Sequence, residues 1–261
     1  MNGFEYVGRH FTLSLADVGR VWLLLFDVAR TFPRAIRKSH LIVEQMMTIG
    51  VGSLPLVVVT SIFTGAVAAV QAAYQFQNYI PMRYLGTVIG KSVAIELGPV
   101  LTALVVGGRV GAAIAAELGT MKVTEQVDAL ETMAIDPLEY LVAPRFLAAL
   151  IMLPVMTVFA DTLAIIGGFA VARTGLDVSA HTYFSGLRLF FHASDVFSGL
   201  IKSFFFGGII ATMGCYHGLS TEGGAEGVGI STMKAVVSSC LLILITDYIL
   251  AAVLFRGVFS G

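Results

Sequence analysis

The feature that most constrains this chain is a long stretch without charge, because no Asp, Glu, Lys or Arg occurs from Gln45 to Met82. About 20 consecutive apolar residues are enough for a helix to cross the hydrocarbon core of a bilayer. Only 13% of the whole chain is charged, against about 25% in soluble globular proteins. So few charges leave too little polar surface to cover a globule in water, which predicts a membrane protein.

Four further apolar segments follow the first. Lipid offers the backbone no hydrogen-bonding partner, so each segment is expected to be a helix. The predicted fold class is an all-α polytopic membrane protein with five transmembrane helices and no soluble domain. The membrane domain would cover residues 53–261, with spans near 53–79, 93–116, 147–171, 200–220 and 234–255.

Residues 1–52 differ from the rest, because apolar and charged residues alternate there with helical spacing. This pattern predicts an amphipathic helix that lies in the membrane interface. The alternative is a sixth span through VWLLLF at 21–26, but four charges within 14 residues disfavour it. The apolar positions are Phe11, Leu15, Val18, Trp22, Leu25 and Ala29, and the charged ones are Asp17, Arg20, Asp27 and Arg30.

The distribution of Lys and Arg predicts the orientation, since cytoplasmic segments are enriched in both. With the N-terminus inside, the inner segments carry eight such residues and the outer segments four; Lys91, Arg109, Lys202 and Lys234 lie in or near spans and are left out. This places loops 117–146 and 218–232 in the cytoplasm. The inner residues are Arg9, Arg20, Arg30, Arg34, Arg37, Lys38, Lys122 and Arg145, and the outer ones are Arg83, Arg173, Arg188 and Arg256.

The second span carries a ridge of small residues at every fourth position, which predicts close helix packing. Its charged residue Arg109 is about 19 Å of helix rise from Glu96 and about 12 Å from Glu117, so neither acid can pair with it along the same helix. Charges at this depth are costly. Arg109 and Glu96 are therefore either structural ion-pair members or part of a transport path. The ridge consists of Ala103, Gly107, Gly111, Ala115 and Gly119.

The first span carries three amides on one helical face, at Gln71, Gln75 and Asn78, with Phe76 and Tyr79 beside them. Two interpretations remain open. The amides can hydrogen-bond to neighbouring helices, or they can form a cavity wall that meets both polar and apolar parts of an amphiphile.

The loop after the second span predicts a short amphipathic helix ended by Pro137. A helix lying on the membrane would prefer a basic polar face, whereas this one is acidic, which favours docking into a groove of a partner protein. The apolar stripe is Val123, Val127, Leu130 and Met133, and the acids are Glu125, Asp128 and Glu131.

Several other motifs are rejected. GTVIGKS at 86–92 lacks the first glycine of a phosphate-binding loop, because Leu85 stands there. Asp161 and Asp247 lie outside any aspartyl-protease motif, and their expected role is hydrogen bonding between helices. The five histidines are scattered, so no metal site is expected. A net charge of −1 gives no basic field for nucleic acid. Cys215 and Cys240 are expected to pack as free thiols.

The segment from Glu96 to Pro137, ELGPVLTALVVGGRVGAAIAAELGTMKVTEQVDALETMAIDP, closely resembles the MlaE-type permease family of bacterial lipid ABC transporters and the chloroplast lipid importer. The ELGP opening, the GGR-x-G-A core, the AELG-x-M link and the TEQ-x-D-AL segment occur in the family's order. The resemblance continues more weakly over the remaining spans. Some members of the family have a basic residue at the position before Glu96, where this chain has Ile95.

The resemblance implies a homodimer with phospholipid in a cavity at the dimer interface, lined at Gln75, Phe76, Tyr79, Glu96 and Leu97. It also implies a cytoplasmic ABC ATPase, docked on a coupling helix around Thr124, Glu125, Gln126 and Asp128. A periplasmic MCE-domain protein, usually a hexamer, would sit above the dimer, and a small cytoplasmic accessory protein is compatible with the family.

The resemblance therefore predicts a lipid-transport permease in the bacterial inner membrane, with no cofactor of its own because ATP is bound by the partner. Two rivals remain. A secondary transporter would use Glu96, Arg109, Asp161 and Asp247 as an ion relay, and a scaffold would anchor the partners without transporting.

Overall fold

The structure, a computed structural model, describes residues 3–76 and 79–254, and their side chains from residue 19 onward. Within these ranges the ordered elements are all helical. Five helical segments are long and apolar enough to cross a membrane, which confirms the predicted fold class. They are Gly19–Phe76, Met82–Val123, Leu138–Gly175, Ala193–Leu219 and Gly224–Leu254.

The first segment is divided by two 3₁₀ turns, Ile36–Lys38 and Val51–Ser53. The turns separate three α-helices, α1 at Gly3–Ala35, α2 at Ser39–Ile49 and α3 at Leu54–Phe76.

Two π-helical turns, Val93–Leu97 and Gly107–Gly111, interrupt the second segment. They separate α4 at Leu85–Ser92, α5 at Gly98–Val106 and α6 at Ala112–Val123.

Five helices remain, one in the loop after the second span, three in the last three spans, and one, α9, between the third and fourth spans. These helices are α7 at Gln126–Thr132, α8 at Ala143–Gly175, α9 at Ala180–Phe190, α10 at Ala193–Leu219 and α11 at Gly224–Leu254, with a further π-turn at Leu138–Val142 before α8.

The helices extend beyond several of the predicted spans. The helical segment that contains the second span runs on to Val123, that of the third begins at Leu138 and that of the fifth begins at Gly224. Loop 117–146 therefore shrinks to residues 124–137, and loop 218–232 shrinks to a turn at 220–223. Helix α9, which lies between the third and fourth spans, was not predicted at all.

The N-terminal helix leans on the start of the third span. Val28 and Ala35 are buried, and the Phe32 ring lies 5.7 Å from that of Phe146. Trp22 and Phe26 point outward and are exposed. This one-sided burial agrees with an amphipathic helix, while its position at the membrane interface stays a prediction. Phe11, Leu15 and Val18 lie outside the described side chains.

Close backbone contact joins α3 to α8. A Cβ atom added to Gly65 would collide with the backbone of Ala164, and one added to Gly167 would collide with that of Ile62. Small residues allow such an approach, where dispersion acts between backbones without a hydrophobic driving force. No small-residue ridge was predicted in these two helices.

The predicted ridge of the second span packs as expected. Ala103, Gly107, Gly111, Ala115 and Gly119 are all buried. Gly107 and Gly111 lie against Ile210 of α10, and Ala115 lies against Gly218 of the same helix.

The segment GTVIGKS forms part of α4 and is helical. Gly86 lies directly against the backbone of Tyr183 in α9, and the Thr87 hydroxyl donates to the Gly186 carbonyl. These residues serve helix packing.

Because α3 and α8 are in backbone contact, adding a single methyl group between them should lower the stability of the protein markedly. Gly65→Ala should destabilise the protein by about 1–3 kcal/mol, because the new Cβ has no space beside Ala164. Gly229→Ala in α11 is the matched control, since a Cβ there meets nothing within 4 Å. Thermal unfolding in detergent would measure both, and equal melting temperatures would contradict the close approach.

Candidate functional site

A buried lysine joins three spans. Lys202 in α10 has no exposed side-chain surface, and its Nζ lies 2.6 Å from Glu96 Oε1 and 2.9 Å from Asp247 Oδ1. The arrangement is a close charge contact and not a pair of aligned hydrogen bonds. One cation between two carboxylates gives the cluster a formal charge of −1. We call these three residues the Lys202 cluster.

The cluster opens to the surface on one side. The Glu96 side chain is 42% exposed and that of Asp247 is 20% exposed. A polar group arriving from outside can therefore meet Glu96 first, while Lys202 stays behind it.

The π-turn Val93–Leu97 carries Glu96, and Pro99 explains why the helix widens there. Proline has no N–H for the carbonyl of Ile95 four residues earlier, and its ring crowds that carbonyl. A wider turn relieves the crowding. Such π-turns occur frequently at functional sites.

Arg109 lies in the second π-turn and reaches back to the first span. It donates to Ser53 Oγ at 2.9 Å and to the Thr48 carbonyl at 3.3 Å. Its guanidinium also covers Gly52, where a Cβ would collide with it. Partners from elsewhere in the chain were expected, and they are the Thr48 carbonyl near the end of α2 and the Ser53 hydroxyl in the Val51–Ser53 turn. Arg109 thus holds that turn in place, although its side chain remains accessible at the surface.

Glu117, one helical turn and more beyond the second π-turn, pairs with the start of the third span. Its Oε2 lies 3.0 Å from Arg145 Nη2, and Arg145 also donates to the Leu141 carbonyl. Arg145 is buried, while Glu117 is half exposed. This pair fixes the ends of two spans beside the loop at 124–137.

The predicted amide face is exposed in a single protomer. Gln71 and Gln75 are exposed, and Tyr79 is 90% exposed. Phe76 is only 5% exposed, because it packs inward in a cluster with Leu85. Asn78 lies outside the described residues.

The amide face and Glu96 lie at different depths. Thr64 lines the same cavity as Leu97, which places them at one level. Gln75 is eleven residues further along α3, or about 16 Å of helix rise. Gln71 and Gln75 are therefore level with α4, and a single ligand contacting both Gln75 and Glu96 would have to be elongated.

The loop after the second span is less regular than predicted. Val123 ends α6, and Glu125 adopts a left-handed conformation with φ of 60° before α7 begins. Val127 is buried, whereas Met133 is 63% exposed beyond the end of α7. The stripe predicted for one helix is thus divided between two helices and a turn, and α7 ends at Thr132, not at Pro137.

Several predicted docking residues remain available on this loop. Thr124, Glu125, Gln126 and Asp128 are exposed, while Leu130 is half buried against the core. Asp128 already pairs with Lys122 at 2.8 Å. The ATPase-coupling role of these residues stays a prediction.

Lys202 is the residue that sequence reasoning missed. It was left out of the Lys and Arg count for orientation because it lies near the end of a span. It nevertheless interrupts the apolar run FSGLIKSFFFGG. A lysine surrounded by aromatic residues in a span requires an acid, and Glu96 and Asp247 were both available. Among the described residues, no His, Cys, Asp and Glu side chains form a group that could hold a metal ion.

Comparison with known proteins identifies a family. The family model described as Permease MlaE matches residues 42–253. A probable ABC transporter permease protein of Rickettsia typhi is 41% identical over 98% of this chain and 99% of its own length. The intermembrane phospholipid transport system permease protein MlaE of Haemophilus influenzae is 34% identical over 98% of both chains. The chloroplastic protein trigalactosyldiacylglycerol 1 of Arabidopsis thaliana is 36% identical over 82% of this chain and 61% of its own length.

The Lys202 cluster predicts strongly non-additive mutations. Glu96→Gln and Asp247→Asn should each be tolerated, because one carboxylate still balances Lys202. The double variant should lose about 3–5 kcal/mol of stability, since it leaves a buried unpaired cation. Adding Lys202→Met should recover most of that loss. Thermal unfolding of the four variants measures the coupling, and additive effects would show that the three groups do not act together.

Proposed function

Because this chain belongs to the MlaE permease family, we propose that it is the membrane-spanning subunit of an ATP-driven lipid transporter, with phospholipid as substrate. The observation that carries the proposal is the partly exposed, net negative Lys202 cluster in a multi-pass membrane protein. The related permease of Haemophilus influenzae is named for intermembrane phospholipid transport, which supports the choice of substrate.

The substrate would bind where polar and apolar surfaces meet. Glu96 offers a charged group for a lipid headgroup, and Leu97 offers an adjacent apolar contact. The exposed amides of Gln71 and Gln75 would form a second polar zone about 10–16 Å away along the helix, with the ring of Tyr79 just beyond the end of α3. An elongated amphiphile matches this separation better than a compact solute does. A second copy of the chain, in a homodimer, would close the cavity over these exposed side chains.

The chain itself would do no covalent chemistry and would hold no cofactor. A separate cytoplasmic ABC ATPase would bind and hydrolyse ATP and would dock on residues 123–130. A periplasmic MCE-domain protein, a hexamer in this proposal, would receive or deliver the lipid, and a small cytoplasmic protein could join the ATPase. This arrangement requires the bacterial inner membrane, with the N-terminus in the cytoplasm.

The structure suggests how ATPase movement would reach the lipid. Asp128 is tied to Lys122 at the end of α6, and Glu117 in the same helix is tied to Arg145 in α8. A push on α7 would therefore act on α6 and on the start of the third span together. The second span continues from α6 through both π-turns to Glu96, so displacement would alter the opening beside the Lys202 cluster.

The two rivals differ from this proposal in a measurable way. A secondary transporter would move its substrate in liposomes under a proton gradient without any ATPase. A scaffold would bind its partners but would not bring lipid to the amide face or to Glu96.

Lipid contact predicts an ATP-dependent crosslink. A photo-crosslinking amino acid at Gln75 or Tyr79 should capture phospholipid in the complete complex, and the yield should change at least severalfold when ATP is added. Phe159 in α8 is the control, since it is exposed at 53% on another helix and should capture bulk lipid at a constant yield. Equal behaviour at all three positions, read by mass spectrometry, would support the scaffold.

ATPase docking predicts that charge at Glu125 controls complex assembly. Glu125→Lys should release the ATPase in a pull-down, whereas Glu125→Gln should weaken it less, since a charge is removed and not reversed. Asp128→Lys is a less clean test because it also breaks the pair with Lys122.

Asp177→Lys serves as the control for Glu125→Lys. Asp177 is also exposed and also has a positive φ, of 52°, but it follows α8 at the end predicted to be periplasmic. The control should retain the ATPase. If the Glu125→Lys variant bound the ATPase as well as the unaltered chain does, residues 123–130 would not be the docking site.

A further inference from the structure

The end of α1 carries a band of exposed arginines. Arg30, Arg34 and Arg37 follow one another at intervals of four and three residues, which places them on one side of the chain. All three are exposed, and none forms a salt bridge with an acidic side chain of the described residues, Asp27 included. We call these three residues the arginine band. Three neighbouring cations without a counter-charge favour the binding of an anion.

Exposed apolar residues lie on both sides of the arginine band. Trp22, Leu23 and Phe26 precede it on α1, Val43 and Met47 follow it on α2, and each of the five is more than half exposed. Apolar patches of this kind mark contacts with a membrane or with another protein. Because α2 leads directly into the first span, we expect both apolar flanks to contact lipid. The arginine band would then lie at the level of the lipid headgroups.

The boundary between the apolar flank and the band is a direct contact. The Cζ atom of Arg30 lies 4.1 Å from the centroid of the Phe26 ring. A guanidinium over an aromatic ring is held there by attraction to the ring face. Its N–H groups remain available to an oxygen acceptor. This contact joins a surface for an acyl chain to a surface for a headgroup.

The chemistry of the band selects the ligand. A guanidinium can donate two parallel hydrogen bonds to the oxygens of one phosphate. Basic residues next to a membrane span attract anionic lipids. A zwitterionic phospholipid also carries a phosphate, but its own ammonium group is repelled by three arginines. An anionic phospholipid therefore complements the band better.

We propose that Arg30, Arg34 and Arg37 bind the headgroup of an anionic phospholipid, whose acyl chain runs along Phe26 and Trp22. The site shares no residue with the Lys202 cluster. It therefore binds a second lipid, and its existence does not depend on whether the chain transports lipid.

The position of the site connects it to the loop after the second span. Lys38 follows the arginine band directly, and its Nζ lies 2.8 Å from Glu139 Oε1. Glu139 belongs to the π-turn Leu138–Val142, which begins where loop 124–137 ends. A lipid bound at the band would hold this end of α1 in place and thereby stabilise the contact with the π-turn.

The test uses the only tryptophan of the chain, Trp22, as a reporter. The full-length chain is reconstituted in vesicles of phosphatidylcholine, with a small fraction of the lipid replaced by a brominated lipid. Bromine on an acyl chain quenches the fluorescence of a tryptophan that it contacts. Brominated phosphatidylglycerol should quench Trp22 at least severalfold more than brominated phosphatidylcholine at the same mole fraction, because each arginine at the membrane surface strengthens anionic-lipid binding about fivefold.

Two variants and one control assign the preference to the arginine band. The double variant Arg34→Gln/Arg37→Gln should bring the ratio of the two quenching efficiencies close to one. Arg34→Lys/Arg37→Lys should retain part of the preference, because the charge remains while the paired hydrogen bonds are lost. Arg173→Gln, at an exposed arginine in the last turn of α8, should behave like the unaltered chain.

Three results would overturn the proposal. Equal quenching by the two brominated lipids in the unaltered chain would show that α1 does not select an anionic headgroup. A preference that survives Arg34→Gln/Arg37→Gln would place the anionic lipid elsewhere. Equal quenching combined with loss of a copurifying subunit from the double variant would show that the arginine band docks a protein.

Discussion

The arrangement of this protein depends on one buried charge. Lys202 is enclosed by protein at a depth where lipid offers no counter-charge, so its ammonium must be balanced from neighbouring helices. Glu96 on the second span and Asp247 on the fifth provide that balance. Close packing makes the contact possible, because Gly107 and Gly111 let the second span approach Ile210 of α10. The charge thereby determines which faces of the second, fourth and fifth spans pack against one another.

Helical irregularity then determines where the polar groups point. An ordinary helix turns about 100° per residue, so the extra residue of a π-turn rotates everything before it relative to everything after it. The turn at Val93–Leu97 lets Gly86 and Gly90 face α9 while Glu96 faces Lys202. A regular helix through this segment would give up one of these two contacts. The second π-turn likewise carries Arg109, which reaches the Val51–Ser53 turn.

The features that depend on composition and on the spacing of residues along a helix could be predicted from the sequence. The five spans follow from the lengths of the apolar runs, and the buried ridge from Ala103 to Gly119 follows from its four-residue spacing. The features that depend on tertiary contact could not. Nothing local marks Lys202 as the partner of Glu96, because the two are distant in sequence. Gly65 and Gly167 become contact points only once α3 and α8 are adjacent, and the inward position of Phe76 arises from packing on Leu85, which no amide pattern on α3 encodes.

The same π-turn is bounded by different chemistry on its two sides. Towards α10 and α11, Glu96 belongs to a cluster that has one more acid than base and opens to the surface. Towards α3 and α8, Val93 and Leu97 line a small uncharged cavity, whose wall also includes Thr60, Ser61, Thr64 and Thr102. Movement of the turn cannot change one side without changing the other, because both sets of contacts are made by five consecutive residues. A displacement of Glu96 would therefore also displace Val93 and Leu97 in the wall of that cavity. This linkage needs no long pathway, since the distance to be bridged is the width of a single helix.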